Sequence, residues 1–173
     1  MSSISQYDRN FRLDNVKREN NSDLFVYCVD EYVYTAWMDN RDNGIYLQVS
    51  INSGRTHSVP KKVMDTNGNI RDLQIQARGE DFVIALIEKI NDQDHKRAVS
   101  GWLNTDQKIY SFKPCTSHKI NGVLINMFLS FSETESIDHL ITKTDDGTIH
   151  EITMGHGCAV KDLKTIKITT VRL

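Results

Sequence analysis

Tyr32-Val33-Tyr34-Thr35-Ala36-Trp37-Met38-Asp39-Asn40-Arg41-Asp42-Asn43-Gly44-Ile45-Tyr46-Leu47-Gln48-Val49-Ser50-Ile51-Asn52-Ser53-Gly54 is the stretch that decides the fold class. Residues 32–37 and 44–50 are dense in aromatic and β-branched side chains, which suit a pleated, half-buried surface. Between them lies Asp42-Asn43-Gly44, and after them Asn52-Ser53-Gly54. Asn and Gly at such places supply the positive φ that tight hairpins demand. Strand, turn, strand, turn is an antiparallel reading.

The same grammar extends along the rest of the chain. Leu73-Gln74-Ile75-Gln76 and Thr165-Ile166-Lys167-Ile168-Thr169 alternate apolar with polar, and Asn67-Gly68-Asn69 and Asp145-Asp146-Gly147 punctuate. Asp81 to Ile90 is the best helix candidate, but it lacks a clean cap and its Phe-Val-Ile centre favours a buried strand. About a dozen short strands result, the pattern of an all-β sandwich, barrel or repeat propeller. Asn52, Asn104 and Asp145 each follow a strand and open a polar turn. They recur at roughly 40–50 residues, the size of a four-stranded propeller blade. The expected organisation is a polar lead-in over 1–22, then one domain over 23–173 with repeats at about 23–66, 67–118 and 119–173.

Composition excludes several classes. A chain of 173 residues with 39% hydrophobic and 25% charged side chains is sized for one domain with a real core. Lys+Arg 21 against Asp+Glu 23 leaves a net charge of −2, so no polyanion footprint points to nucleic acid or anionic lipid. The longest apolar run, residues 82–87, is far short of the ~20 residues of a membrane helix. Three cysteines exclude a disulfide scaffold. The start lacks the apolar core of a secretory signal, so a cytoplasmic protein is expected, with a secreted domain as the alternative.

Ser50-Ile51-Asn52-Ser53-Gly54-Arg55-Thr56-His57-Ser58-Val59-Pro60 resembles the Asp-box of sialidase-type (BNR) repeats, Ser-x-Asp-x-Gly-x-Thr-Trp, often with a proline shortly after. Asn52 stands where the family has Asp, and His57 where it has Trp. The resemblance is clear over residues 30–63 and weakens through 80–114 and 121–154. It implies a propeller-like antiparallel fold; the count of repeats gives three to four blades per chain, closed either as a four-bladed ring by the N-terminal segment or as a six-bladed ring, the number the resemblance implies, completed by a homodimer. A two-sheet jelly roll is the alternative. It also implies that Ser50, Asn52, Gly54, Thr56 and His57 hold a turn rather than perform chemistry. Asn52 would close an Asx-type turn on backbone N–H groups.

For function, Trp37, Asp39, Asn40 and Arg41 form the first candidate ligand site. Alternation puts Trp37 and Asp39 on one strand face, and an aromatic plane beside Asp, Asn and Arg suits a sugar ring. A sialidase-like hydrolase is the minority expectation. Phe11-Arg12-Leu13-Asp14 resembles the Phe-Arg-Ile-Pro start of those enzymes but lacks the proline, and no full complement of arginines, nucleophile pair and acid can be assigned. Cys115, His118, His156 and Cys158 contain the right atoms for zinc, yet neither half has standard finger spacing, so neither metal nor cofactor is expected. The sequence favours a non-catalytic module that binds a glycan, or alternatively a protein-interaction element.

Overall fold

The computed structural model describes residues 21–67, 69–104, 106–111, 114, 117–131, 136–155 and 160–166. Every regular element among them is a strand. β1 (Asn21–Val29), β2 (Tyr32–Asp39), β3 (Gly44–Ser50) and β4 (Lys61–Asp65) form the first sheet, in that order and antiparallel throughout. β5 (Ile70–Arg78), β6 (Asp81–Ile90), β7 (Gln93–Leu103) and β8 (Ile109–Ser111) form the second, with the two-residue β9 (His118–Lys119) adding to β7. β10 (Val123–Phe131), β11 (Ser136–Lys143), β12 (Ile149–Gly155) and β13 (Val160–Ile166) form the third. The described residues thus form three sheets of consecutive antiparallel strands, rather than the two of a jelly roll. No helix among the described residues is long and apolar enough to cross a membrane.

Strand alternation explains how the sheets stack. On β6, Phe82, Ile84 and Leu86 enter one core with Tyr34, Ala36, Met38, Ile45 and Leu47 of the first sheet. Ala85 and Ile87, pointing the other way, enter a second core with Met127, Leu140 and Ile152 of the third. The middle sheet is therefore buried on both faces, and this is why residues 82–87 read as a continuous apolar run. Burying a side chain such as Phe82, which is 1% exposed, contributes about 1.5–3 kcal/mol. The sheets approach one another most closely along their first strands, β1 against β5 and β5 against β10. Side chains of β5 extend this contact: Gln74 Nε2 donates to Met127 O at 2.5 Å and Arg71 Nη2 to Leu124 O at 3.3 Å.

One expectation is corrected here. Asn52 and Asn104 lie in connections between the third and fourth strands of their sheets, β3–β4 and β7–β8. Asp145 instead lies in the β11–β12 turn, between the second and third strands of its sheet. In an up-and-down sheet that is the opposite end, so the third polar turn is not the equivalent of the first two. Its closing side chain is also Asp146, whose Oδ1 accepts Thr148 N–H at 3.0 Å. Any hairpin with a short polar side chain and Gly147 at φ 86 makes such a turn, whichever strands it joins.

Candidate functional site

The connection after β3 has the geometry its residues call for. Ser50 Oγ accepts Gly54 N–H at 2.8 Å and donates to Asn52 Oδ1 at 3.0 Å. Asn52 Oδ1 accepts Thr56 N–H at 2.9 Å, and its Nδ2 donates to Thr56 Oγ1 at 2.8 Å. Ser53 at φ 57 and Gly54 at φ 81 carry the left-handed part of the loop. The loop is sewn to β3 by Ser58, whose N–H and Oγ bond Val49 and whose carbonyl accepts Gln48 Nε2. The β7–β8 connection closes more simply: Asn104 Oδ1 accepts the N–H groups of Asp106 and Lys108 at 3.1 and 2.8 Å.

The Trp37 cluster is brought together, but not as an open seat. Trp37 is 1% exposed and its ring stacks on Tyr46 at 5.9 Å, so no face of the indole is turned to solvent. Asp39 is buried at the end of β2 and takes the Arg41 N–H and guanidinium in a tight hairpin pair. The Arg41 hydrogen bonds hold the Asp39 carboxyl below the usual range against the opposing effect of burial. Asn40 is exposed in the turn. Beside it, burial would raise the Asp42 carboxyl, but hydrogen bonds from Tyr46 OH at 2.8 Å and Lys62 Nζ at 3.1 Å reverse the direction and lower it. This is a set of groups bonded to one another.

Between the two connections lies a cleft of about 760 Å³, with His57, Pro60 and Lys61 on one wall and Asp106, Gln107 and Tyr110 on the other. Lys61 Nζ donates to Ile109 O at 2.6 Å and lies 5.6 Å from the centre of the Tyr110 ring. Tyr110 in turn stacks on Trp102, its direct partner across β7–β8, at 5.4 Å and 14°. Both rings are well exposed, Trp102 at 38% and Tyr110 at 40%. An exposed aromatic pair beside a mixed-charge cleft is the strongest ligand geometry among the described residues.

No protein family, curated protein or solved structure matches this chain. The reading of the site therefore stands on its own chemistry.

The sequence marks His57 as a turn-holding residue, but nothing in it singles out Trp102, Tyr110 or Lys61 as site residues. Eight positions separate Trp102 from Tyr110, and only the β7–β8 register makes them partners. The one available signal was that both precede or follow the polar turn at Asn104. Of the zinc candidates, Cys115, His156 and Cys158 lie outside the described residues, as does Arg12. His118 stands on β9, where burial, then the charges of Lys96 and His95, push its imidazole below the ordinary value. No metal-binding group of three side chains occurs among the described residues.

Proposed function

We propose that this chain is a glycan-binding module built as a propeller-like fan of three blades, with its ligand seat at the Trp102–Tyr110 pair and the cleft beside it. Three sheets, each with four consecutive up-and-down strands and the second with β9 added, stacked face to face and closest along their first strands, support the fan. The exposed stacked pair carries the reading of the ligand. Aromatic planes receive the apolar face of a sugar ring, while Asp106, Gln107 and Lys61 supply acceptors and donors for its hydroxyls. The seat is thus displaced from the Trp37 cluster, where the only comparable ring is covered.

A glycan array followed by calorimetric titration of the best hits tests the proposal. Saturable binding is expected, and Tyr110→Ala and Trp102→Ala should each weaken it at least tenfold, about 1.4 kcal/mol, with an unchanged circular dichroism spectrum. Binding that survives both substitutions, or an array with no saturable signal, overturns the assignment.

A further inference from the structure

The face of the third sheet turned away from the second carries a chain of polar contacts that the cleft does not use. Register places Phe128 opposite His139, with Ser130 two positions along β10 and Glu151 one diagonal step away on β12. Ser130 Oγ lies 2.8 Å from His139 Nε2, and His139 Nδ1 lies 2.9 Å from Glu151 Oε1. Phe128 covers one face of the imidazole, with ring centres 4.4 Å apart and planes 7° from parallel. His139 and Glu151 are partly buried, their side chains 18% and 25% exposed.

The hydrogen-bond inventory fixes the direction of this chain. A carboxylate only accepts, so Nδ1 must carry the proton given to Glu151. In the neutral imidazole Nε2 is then the lone-pair nitrogen, and Ser130 O–H must donate to it. If the ring takes up a proton, Nε2–H points at Ser130 Oγ, and the hydroxyl has Ile137 O at 3.5 Å as its other acceptor. Nucleophile, base and orienting carboxylate thus stand in the order that acyl transfer requires.

We propose that Ser130 is an acyl-accepting nucleophile, with His139 as its general base and Glu151 as the positioning residue, acting on small carboxylic esters with an apolar acyl group. Ser130 Oγ attacks the ester carbonyl carbon while its proton passes to His139 Nε2. The tetrahedral adduct collapses, the carbon–oxygen bond to the alcohol breaks, and the departing alkoxide takes the proton from Nε2. The products are acyl-Ser130 and a free alcohol. Water attacking the acyl carbon by the same proton path then releases the acid. Phe128, at 40% exposure, offers the acyl chain an apolar surface next to the serine. A positioned base contributes roughly 10²–10⁴-fold. Within a sheet most backbone N–H groups are engaged in the ladder rather than aimed at an oxyanion, so acylation is expected to outpace turnover only with reactive esters.

The test uses the full chain with p-nitrophenyl acetate and, separately, a fluorophosphonate probe, with intact mass and peptide mapping. The expected result is a single adduct on Ser130 and a p-nitrophenol burst of about one equivalent. Ser130→Ala should abolish both. His139→Gln should slow labelling at least a hundredfold. Glu151→Asp should retain more reactivity than Glu151→Gln, although both unfold at the same urea concentration as the natural chain. No adduct, an adduct elsewhere, equal labelling of the natural chain and His139→Gln, or a loss in the Glu151 variants that merely follows their stability overturns the proposal.

Discussion

Replacing Ser50 by alanine should destabilise the protein far more than its position in a connection suggests. Ser50 is fully buried, and its hydroxyl is the hub of the loop: it receives Gly54 N–H at 2.8 Å and Asn52 N–H at 3.3 Å and gives its proton to Asn52 Oδ1 at 3.0 Å. Alanine leaves the buried Gly54 N–H without that acceptor. An unmade buried hydrogen bond costs about 1–3 kcal/mol, and a central value of about 2 kcal/mol lowers Tm by roughly 4–8 °C in a chain of this size. Asn52 offers the internal control. Asn52→Asp keeps the acceptor for Thr56 N–H and Ser50 O–H, and the Thr56 hydroxyl can turn to donate where it now accepts, so the change should stay within about 0.5 kcal/mol. Asn52→Ala removes both bonds to Thr56 at a more exposed position and should cost about 1 kcal/mol. Urea unfolding followed by tryptophan fluorescence, with linear extrapolation, gives the ranking Ser50→Ala, Asn52→Ala, Asn52→Asp from most to least damaging. A Ser50→Ala protein within 0.5 kcal/mol of the natural chain, or an aspartate variant worse than alanine, would refute the view that this side-chain network closes the loop.

Gly101 has no room for a side chain: a Cβ there would lie 1.9 Å from Tyr110 O and 2.6 Å from the Phe82 ring. Gly101→Ala should therefore cost about 3 kcal/mol or more, detach β8 and remove ligand binding at the cleft, as read by urea unfolding and calorimetry. The Asp146 carboxyl is held down to about 2 by its bond from the Thr144 hydroxyl and by the Thr148 N–H. Because the folded form gives up this proton more readily than the unfolded chain, its contribution is complete above the ordinary carboxylate range near 4. It is withdrawn as pH falls towards 2; an NMR titration of Asp146 should show the depressed midpoint, and Asp146→Asn should flatten that part of the acid-unfolding curve. The two-copy, six-bladed ring would place a second chain over the outward face of the third sheet, where Ser130 lies. A reactive Ser130 therefore goes with a monomeric mass in light scattering, and a stable dimer that protects Ser130 from the fluorophosphonate would favour the shared ring.

The parts of this architecture that were legible in the sequence are those encoded by near neighbours. The strand at 81–90 shows itself because both faces of β6 meet another sheet and no polar alternation survives. The Asx network of Ser50, Asn52 and Thr56 is legible because every partner lies within six positions. Asp145 misled for the same reason: an Asp-Asp-Gly turn has one local chemistry, and nothing in it records whether it joins second to third or third to fourth strands. Trp37 misled differently. Its neighbours on the strand were read correctly, but Tyr46, which covers its ring, comes from the next strand.

The two places where chemistry gathers both depend on register. Trp102 meets Tyr110 because the Asn104 turn fixes the β7–β8 pairing, and a slip of one residue would send the rings to opposite faces. The contact of Ser130 with His139 and Glu151 needs three strands in register at once. It also depends on the irregularity between Leu124 and Asn126, which resets which residues of β10 face outward. An unbroken alternation from Leu124, which faces the core, would put Phe128 and Ser130 inward and leave Met127 outside. The bulge thus places Phe128 rather than Met127 opposite His139, and Ser130 rather than Leu129 beside it. Deleting Ile125 removes the extra residue without changing the pairing of Asn126 with Ile141 or of Phe128 with His139, so Ser130 should stay beside the imidazole and fluorophosphonate labelling should persist; loss of labelling in a variant that still folds would refute this account of the bulge.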